Sequence, residues 1–386
     1  MTTRPRLARR SAAFAAIAVA GALTLTACGS DDNSDKPASG ETTNAANPPG
    51  GSSSAAAPAK LDCPTGTLQG AGSSAQKNAM DEWVKAFQQK CSGAKVEYNG
   101  NGSGAGRQAF FDSQVAFAGS DASIADADVA KGTAACKGTP AINLPMVTGP
   151  IAVAYNVSGV KDLVLDAKTI AGIFAGQIKT WDAAEIKALN PKATLPSTPI
   201  QAVHRSDKSG TTENFTKYLK AAGGDAWAAA PSQDWPSQEG QSAKGSDGVA
   251  NVVKTTAGAI GYMEGSFAEN AGLGVAQINT GAAAPVKLTP EAAGKAVSAA
   301  KITGTGNDLK LQLDYATKAE GAYPIVLVTY EIACEKGTPA DKLPLVKSFL
   351  TYTSSEEGQS ILAKNGYAPL PAEIATKVRT AVAALS

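Results

Sequence analysis

Strand-like and helix-like patterns alternate along most of this chain. They predict an α/β protein of two lobes, each a mainly parallel sheet flanked by helices, with a hinge between the lobes. Three observations carry that prediction. Short Val/Ile-rich runs are followed by Ala-rich segments of helical period. Gly/Ser turns sit where a strand hands over to a helix. A chain of 386 residues is long enough for two lobes once a leader is set aside. In parallel sheets of this kind ligands bind at the carboxyl ends of strands, so function is expected at those turns.

Residues 67–70 read as a strand and 75–89 as a helix with Met80, Trp83, Val84 and Phe87 on one face. Residues 95–98 form the next strand, a short helix opens over 106–111, and 114–118 is a strand ending in Gly119-Ser120-Asp121. Two apolar runs, 142–147 and 151–156, are broken by Thr148-Gly149-Pro150. The middle of the chain continues with a helix over 168–174, a strand over 199–203, a helix from Phe215, a helix over 248–255 and a strand over 259–263. Residues 324–330 are a buried strand, followed by helices over 342–353 and 355–365. This last part is expected to return to the first lobe. Lobe I then comprises 61–147 plus 320–386 and lobe II 148–319, with crossovers near 144–150 and 321–324 as the hinge.

The N-terminus reads as a targeting segment. Arg4, Arg6, Arg9 and Arg10 precede an apolar run over 12–25, which ends in Leu25-Thr26-Ala27-Cys28-Gly29. A small residue before Cys, then Gly, resembles a bacterial lipobox. Residues 1–28 are therefore expected to be a lipoprotein signal peptide and Cys28 the lipidated (palmitate-bearing) mature N-terminus, with a conventional signal peptide as the alternative. Residues 29–60 hold almost no large apolar side chain and are expected to be a flexible tether. The implied location is the extracytoplasmic face of the cell membrane, through a lipid anchor.

Cys28 aside, four cysteines remain, and four permit three pairings. Cys63–Cys91 and Cys136–Cys334 are favoured on topological grounds. Cys63 precedes the first strand, and Cys91 ends the helix that returns to the same edge of the sheet. Charge is nearly balanced, 35 Lys+Arg against 34 Asp+Glu, so there is no basic footprint for nucleic acid. A single histidine, His204, argues against His-built metal sites and against a Ser-His-Asp enzyme. It is expected to be a partly exposed side chain at a strand end. Neither a metal nor a cofactor is expected, and the protein is expected to act as a monomer.

The chain is organised around residues 204–215, where Arg205, Asp207, Ser209, Gly210 and Thr211 fall on a strand-to-helix turn. The first turn of a helix presents unpaired backbone N–H groups and partial positive charge. Hydroxyls beside those groups, a glycine that lets the backbone come close and a forked guanidinium suit a small tetrahedral oxyanion. Three more turns share this character: Gly70-Ala71-Gly72-Ser73-Ser74, the run Asn99 to Gly106, and Ser120-Asp121. None has the Gly-x-x-x-x-Gly-Lys-Ser/Thr spacing of a nucleotide P-loop.

These turns, taken together, resemble the periplasmic-type phosphate-binding protein of the phosphate-specific ABC transporter (the PstS family), in its actinobacterial lipoprotein form. The matching motifs are Gly-Ala-Gly-Ser-Ser at 70–74, Tyr-Asn-Gly-Asn-Gly-Ser-Gly at 98–104, Gly-Ser-Asp-Ala at 119–122 and Arg-Ser-Asp-Lys-Ser-Gly-Thr at 205–211, with 245–248 and 258–264 also similar. The resemblance implies a two-lobed periplasmic-binding-protein-like fold that is not an enzyme, with inorganic phosphate as ligand and ABC permease subunits as partners. Ser74 and Ser103 match hydroxyl donors, and Ala75 matches a backbone contact where many members carry an aromatic residue. Asp121 matches the buried acceptor carboxylate, Arg205 the guanidinium and Asp207 its partner. Ser209, Gly210 and Thr211 match the helix-start donors. The competing classes are a receptor for sulfate, molybdate or tungstate, a secreted phosphatase, and a surface adhesion or signalling lipoprotein.

Overall fold

In the computed structural model, which describes residues 61–386, β1 (Gly66–Gly72) lies between parallel partners β2 (Ala94–Asn99) and β3 (Phe117–Ser120). Helices α1 (Lys77–Lys90) and α2 (Ser103–Phe111) make the two crossovers. Burial follows the predicted face of α1, with Met80, Trp83 and Phe87 fully buried. The strand expected over 114–118 starts only at Phe117, because the preceding residues close off α2. Ser113 takes a left-handed backbone, φ 56°, and the Gln114 N–H returns to the Ala109 carbonyl. The helix expected to open at Gly106 already opens at Ser103. The predicted signal peptide 1–28, Cys28 and the tether 29–60 lie outside the described residues.

After α3 (Val129–Ala135) comes β4 (Ala141–Asn156), a single strand of 16 residues. Here the expected break at 148–150 is corrected. Thr148, Gly149 and Pro150 pair in register with the last long strand, so a neighbour satisfies the backbone that a turn was expected to reverse. The irregularity falls earlier, where Tyr330 pairs with Pro145 and Thr329 with Val147. A proline lacks the N–H that a regular ladder needs, and bulges accommodate it.

The chain continues through β5 (Val164–Asp166), α4 (Ala167–Phe174) and α5 (Ala184–Leu189) to a second parallel group. This group holds β6 (Gln201–Arg205), α6 (Gly210–Ala222), β7 (Gln241–Ala243), α7 (Gly245–Thr255) and β8 (Ala259–Glu264). Smaller elements follow: α8 (Gly265–Ala271), β9 (Gly274–Val275), β10 (Gln277–Asn279), α9 (Pro290–Ser298), β11 (Lys301–Ile302) and β12 (Leu311–Gln312). The fully buried β13 (Val326–Cys334) leads to α10 (Leu343–Ser354), α11 (Glu356–Lys364) and the unforeseen α12 (Ala372–Ala384).

The main sheet runs β2-β1-β3-β13-β4-β8-β6-β7, with β9 also on β4. Its flanks are parallel, while β13 and β4 are antiparallel to each other and to their outer neighbours. The chain thus passes from one flank to the other inside two strands. One flank packs Trp83, Phe87, Phe117 and Phe349, and the other stacks Phe174, Phe215, Trp235 and Tyr262. The favoured disulfides are both present: Cys63–Cys91 closes a separation of 28 residues and Cys136–Cys334 one of 198. Among the described residues no helix is long and apolar enough to cross a membrane.

Candidate functional site

Asp121 follows β3 directly and is 3% exposed. Carried one step on, the β3–β13 register sets Thr329 opposite it, and Thr329 Oγ1 donates to Asp121 Oδ1 at 2.8 Å. Two more hydroxyls reach Oδ2: Ser103 at the start of α2, at 3.3 Å, and Thr211 at the start of α6, at 3.2 Å. The carboxylate therefore joins helix starts from the two flanks of the sheet. Burial pushes Asp121 above the usual carboxylate range, against the opposing pull of the Ser73, Thr329 and Thr211 hydroxyls and the Arg205 charge. A carboxylate held by hydroxyls and no cation is a hydrogen-bond acceptor of high appetite.

Gly210 makes this approach possible. A Cβ there would lie 2.6 Å from the Asp121 Cβ and 2.7 Å from Ser103 Oγ. Ser209 caps α6 by accepting the Thr212 N–H at 3.2 Å, which leaves its own proton to donate. Gly102, at φ +106°, has the same role on the other flank, since a Cβ would fall 2.4 Å from Asp207 Oδ2.

Arg205 ends β6 with its side chain 2% exposed. Nε donates to Asp207 Oδ1 at 2.7 Å and Nη2 to Oδ2 at 2.5 Å, a two-pronged fork. Burial raises the Asp207 carboxyl, but the Arg205 hydrogen bonds and charge, with the Gly245 N–H, outweigh it and hold the group below its ordinary value. His204, expected to be partly exposed, is instead buried. Its ring stacks on Trp235 at 5.1 Å and Nδ1 lies 3.1 Å from the Arg205 carbonyl. Burial lowers its pKa, so it stays neutral and lends the site no charge.

Ser74 and Ala75 lie in the turn after β1. The Ala75 N–H bonds Ser73 Oγ at 3.1 Å, and Ser74 Oγ accepts the Ser246 N–H at 3.1 Å and meets Ser246 Oγ at 3.2 Å. Ser246, in the first turn of α7, joins this turn to the Gly245 N–H that holds Asp207. All nine sequence-predicted residues therefore belong to one contiguous constellation, Ser74 through Ser246.

Three participants escaped the sequence reading. Ser246 had a signal, because Gly245-Ser246-Asp247-Gly248 is another glycine-serine turn between strand and helix. Thr329 had none, since a threonine within an apolar strand reads as filler. Arg107 lies one helical turn after Ser103 and is 7% exposed. It donates to Ser120 Oγ and to Gln233 Oε1, both at 2.6 Å, so its charge is buried beside Asp121 without a carboxylate within ion-pair distance among the described residues. Burial lowers its pKa.

Residues 41–357 match the family described as the PBP superfamily domain. Phosphate-binding protein PstS 3 of Mycobacterium tuberculosis (strain ATCC 25618 / H37Rv) is 43% identical over 381 residues, which is 98% of this chain and 99% of the relative. Phosphate-binding protein PstS of Methanocaldococcus jannaschii is 32% identical over 329 residues, 80% and 83% of the two chains. The chain belongs to the phosphate-binding protein PstS family. Among solved structures, a high affinity periplasmic phosphate-binding protein bound with phosphate superposes with a TM-score of 0.67 at 23% identity. The match covers 82% of this PstS-family chain and 93% of that one. This likeness establishes the shared periplasmic-binding-protein-like fold.

Proposed function

We propose that this protein is an extracytoplasmic receptor that captures inorganic phosphate and delivers it to an ABC permease for import. It acts by binding and release, without turnover. The reading is supported most by one observation: Asp121, a buried carboxylate with no cation on it, accepts hydrogen bonds from hydroxyls at helix starts on both flanks. Phosphate keeps a proton near neutral pH and can donate it to such a group. Sulfate has none and would meet Asp121 as anion against anion, a juxtaposition worth about several kcal/mol.

The other named residues supply the rest of a hydration shell. Arg205 gives a guanidinium already oriented by Asp207, and Ser74 and Ser209 give hydroxyl protons. The Ser103 and Thr211 hydroxyls, which donate to Asp121 Oδ2, turn onto the anion as its own proton takes their place. The Gly210 N–H lies at the start of α6, and the Ala75 N–H lies in the turn before α1, where it bonds Ser73 Oγ. Many neutral donors around Arg205, with the Arg107 guanidinium held to Ser120 and Gln233, hold a dianion without stacking positive charge against it. The ligand lies between lobe I (61–147 with 320–386) and lobe II (148–319), with β4 and β13 as the connecting strands, and closure about them brings Ser74 to Ser246. The mature chain is anchored by a lipid on Cys28 and acts as a monomer on the outer face of the membrane.

Calorimetric titration of the purified protein with phosphate and with sulfate tests the reading. Phosphate is expected to bind with at least about 10⁴-fold preference, the discrimination a site gains by requiring a hydrogen bond its competitor cannot make. Comparable binding of the two anions would overturn it.

A further inference from the structure

Glu331, on β13, is fully buried, and neither of its carboxyl oxygens has a hydrogen-bond partner. It lies on the same face of the strand as Thr329, the residue that donates to Asp121. Across the sheet it stands opposite Gly119 of β3. A Cβ on Gly119 would fall 2.1 Å from Gln76 Nε2 and 2.3 Å from Tyr98 Oη, so the missing side chain leaves room for those two groups.

Their hydrogen bonds fix their orientation. Tyr98 Oη donates its only proton to the Ser73 carbonyl at 3.0 Å, so toward Gln76 it can only accept, and it does so from Nε2 at 3.0 Å. Gln76 Oε1 is left without a donor, and the Gln76 amide lies against the Glu331 carboxyl. Even with the second Nε2 proton on one carboxyl oxygen, an ionised Glu331 would add a further buried acceptor to one that already lacks a proton. A neutral Glu331 resolves the conflict, because its O–H can donate to Gln76 Oε1.

We propose that Glu331 is held as the neutral acid when phosphate is bound, and that it is a positioning residue whose proton orients Gln76 and, through Tyr98, the Ser73-Ser74-Ala75 turn. This inference rests on the phosphate reading. Burial pushes the Glu331 carboxyl up to about 8, with the neighbouring Gln76 amide opposing and the Asp121 charge adding to the rise. The ionisable groups facing it are Tyr98 of β2, itself pushed up by burial and by Glu331, and Asp121 beyond β3. A bound phosphate anion brings further negative charge, so the complex keeps this proton to higher pH than the free protein does. Above the free protein's pKa the bound state holds more protons, and affinity must fall as pH rises.

The test is phosphate affinity by calorimetry from about pH 7 to about pH 10, on the full chain and on its Glu331→Gln variant, whose amide can donate to Gln76 Oε1 at every pH. At pH 7 the two are expected to agree within about threefold. Above about pH 8 the native protein should lose affinity relative to the variant by up to about tenfold per pH unit, the limit for one linked proton. Phosphate's own ionisation is common to both proteins. Parallel pH profiles overturn the role of Glu331, whereas absence of phosphate binding in both at pH 7 overturns the phosphate reading instead. Should the variant fail to fold, infrared spectra of ¹³C-glutamate-labelled protein decide the matter. They are taken in a Glu264→Gln background, because Glu264 is another fully buried glutamate that burial pushes up to about 8. An acid carbonyl band at pH 7 that disappears toward pH 10 supports the proposal, and its absence at pH 7 ends it.

Discussion

Asp121 and Asp207 are two carboxylates of one constellation in opposite surroundings. Asp207 is forked by Arg205 and receives the Gly245 N–H, and its pKa lies below the ordinary range. Asp121 meets only neutral donors, and burial holds its pKa above that range. The pairing with Asp207 orients the guanidinium and tempers its charge. The isolation of Asp121 leaves a carboxylate that gains from a ligand's proton and resists a ligand without one. On the proposed reading, attraction and identity fall to different flanks of the sheet.

Arg205→Ala breaks the first half of this contrast and should have the largest effect. It removes the cation and leaves the half-buried Asp207 without its charged partner, a loss of about 3–5 kcal/mol, or about 10²–10⁴-fold in phosphate Kd. Native affinity in a calorimetric titration would place the anion elsewhere.

Asp121→Asn breaks the second half while preserving shape. The phosphate-to-sulfate preference should fall by about 10²-fold or more, as the like-charge penalty on sulfate disappears. Competition titrations that return an unchanged ratio would remove Asp121 as the selector.

Ser246→Ala sharpens the comparison, because Ser246 and its neighbour Gly245 connect the Ser74 turn to Asp207. Losing one hydroxyl contact should cost about 0.5–1.5 kcal/mol. The loss should appear as faster phosphate dissociation in stopped flow. Combined with Ser74→Ala, the two losses should be less than additive, because the residues share the contact. Strict additivity would mean the pair does not act as a unit.

Much of the site was legible because anion-binding turns are local. A strand end, a glycine and hydroxyls at a helix start are adjacent in sequence, as at residues 70–75, 102–103 and 205–211. Arg205 and Asp207 are two residues apart, so even their pairing could be read. Thr329 and Glu331 could not, because an apolar strand looks alike whether its occasional polar side chain faces a ligand site or a satisfied core. The expected break at 148–150 erred for a related reason. Thr-Gly-Pro is turn-like by local propensity, but β13 supplied the backbone partners that let β4 run through it.

The sequence by itself determined the α/β alternation and the glycine-serine turns, because each is written in short-range spacing and residue chemistry, and it marked the nine candidate residues through those turns and a family resemblance. Only the tertiary structure decided how those turns meet. It set Asp121 against Ser103 and Thr211 from opposite flanks, seated Ser246 on Ser74, and enclosed Glu331 beside Gln76 without a donor. The physical reason is that a hydrogen bond between residues 90 or 172 positions apart depends on the register of β13 and β4, and that register belongs to the whole sheet.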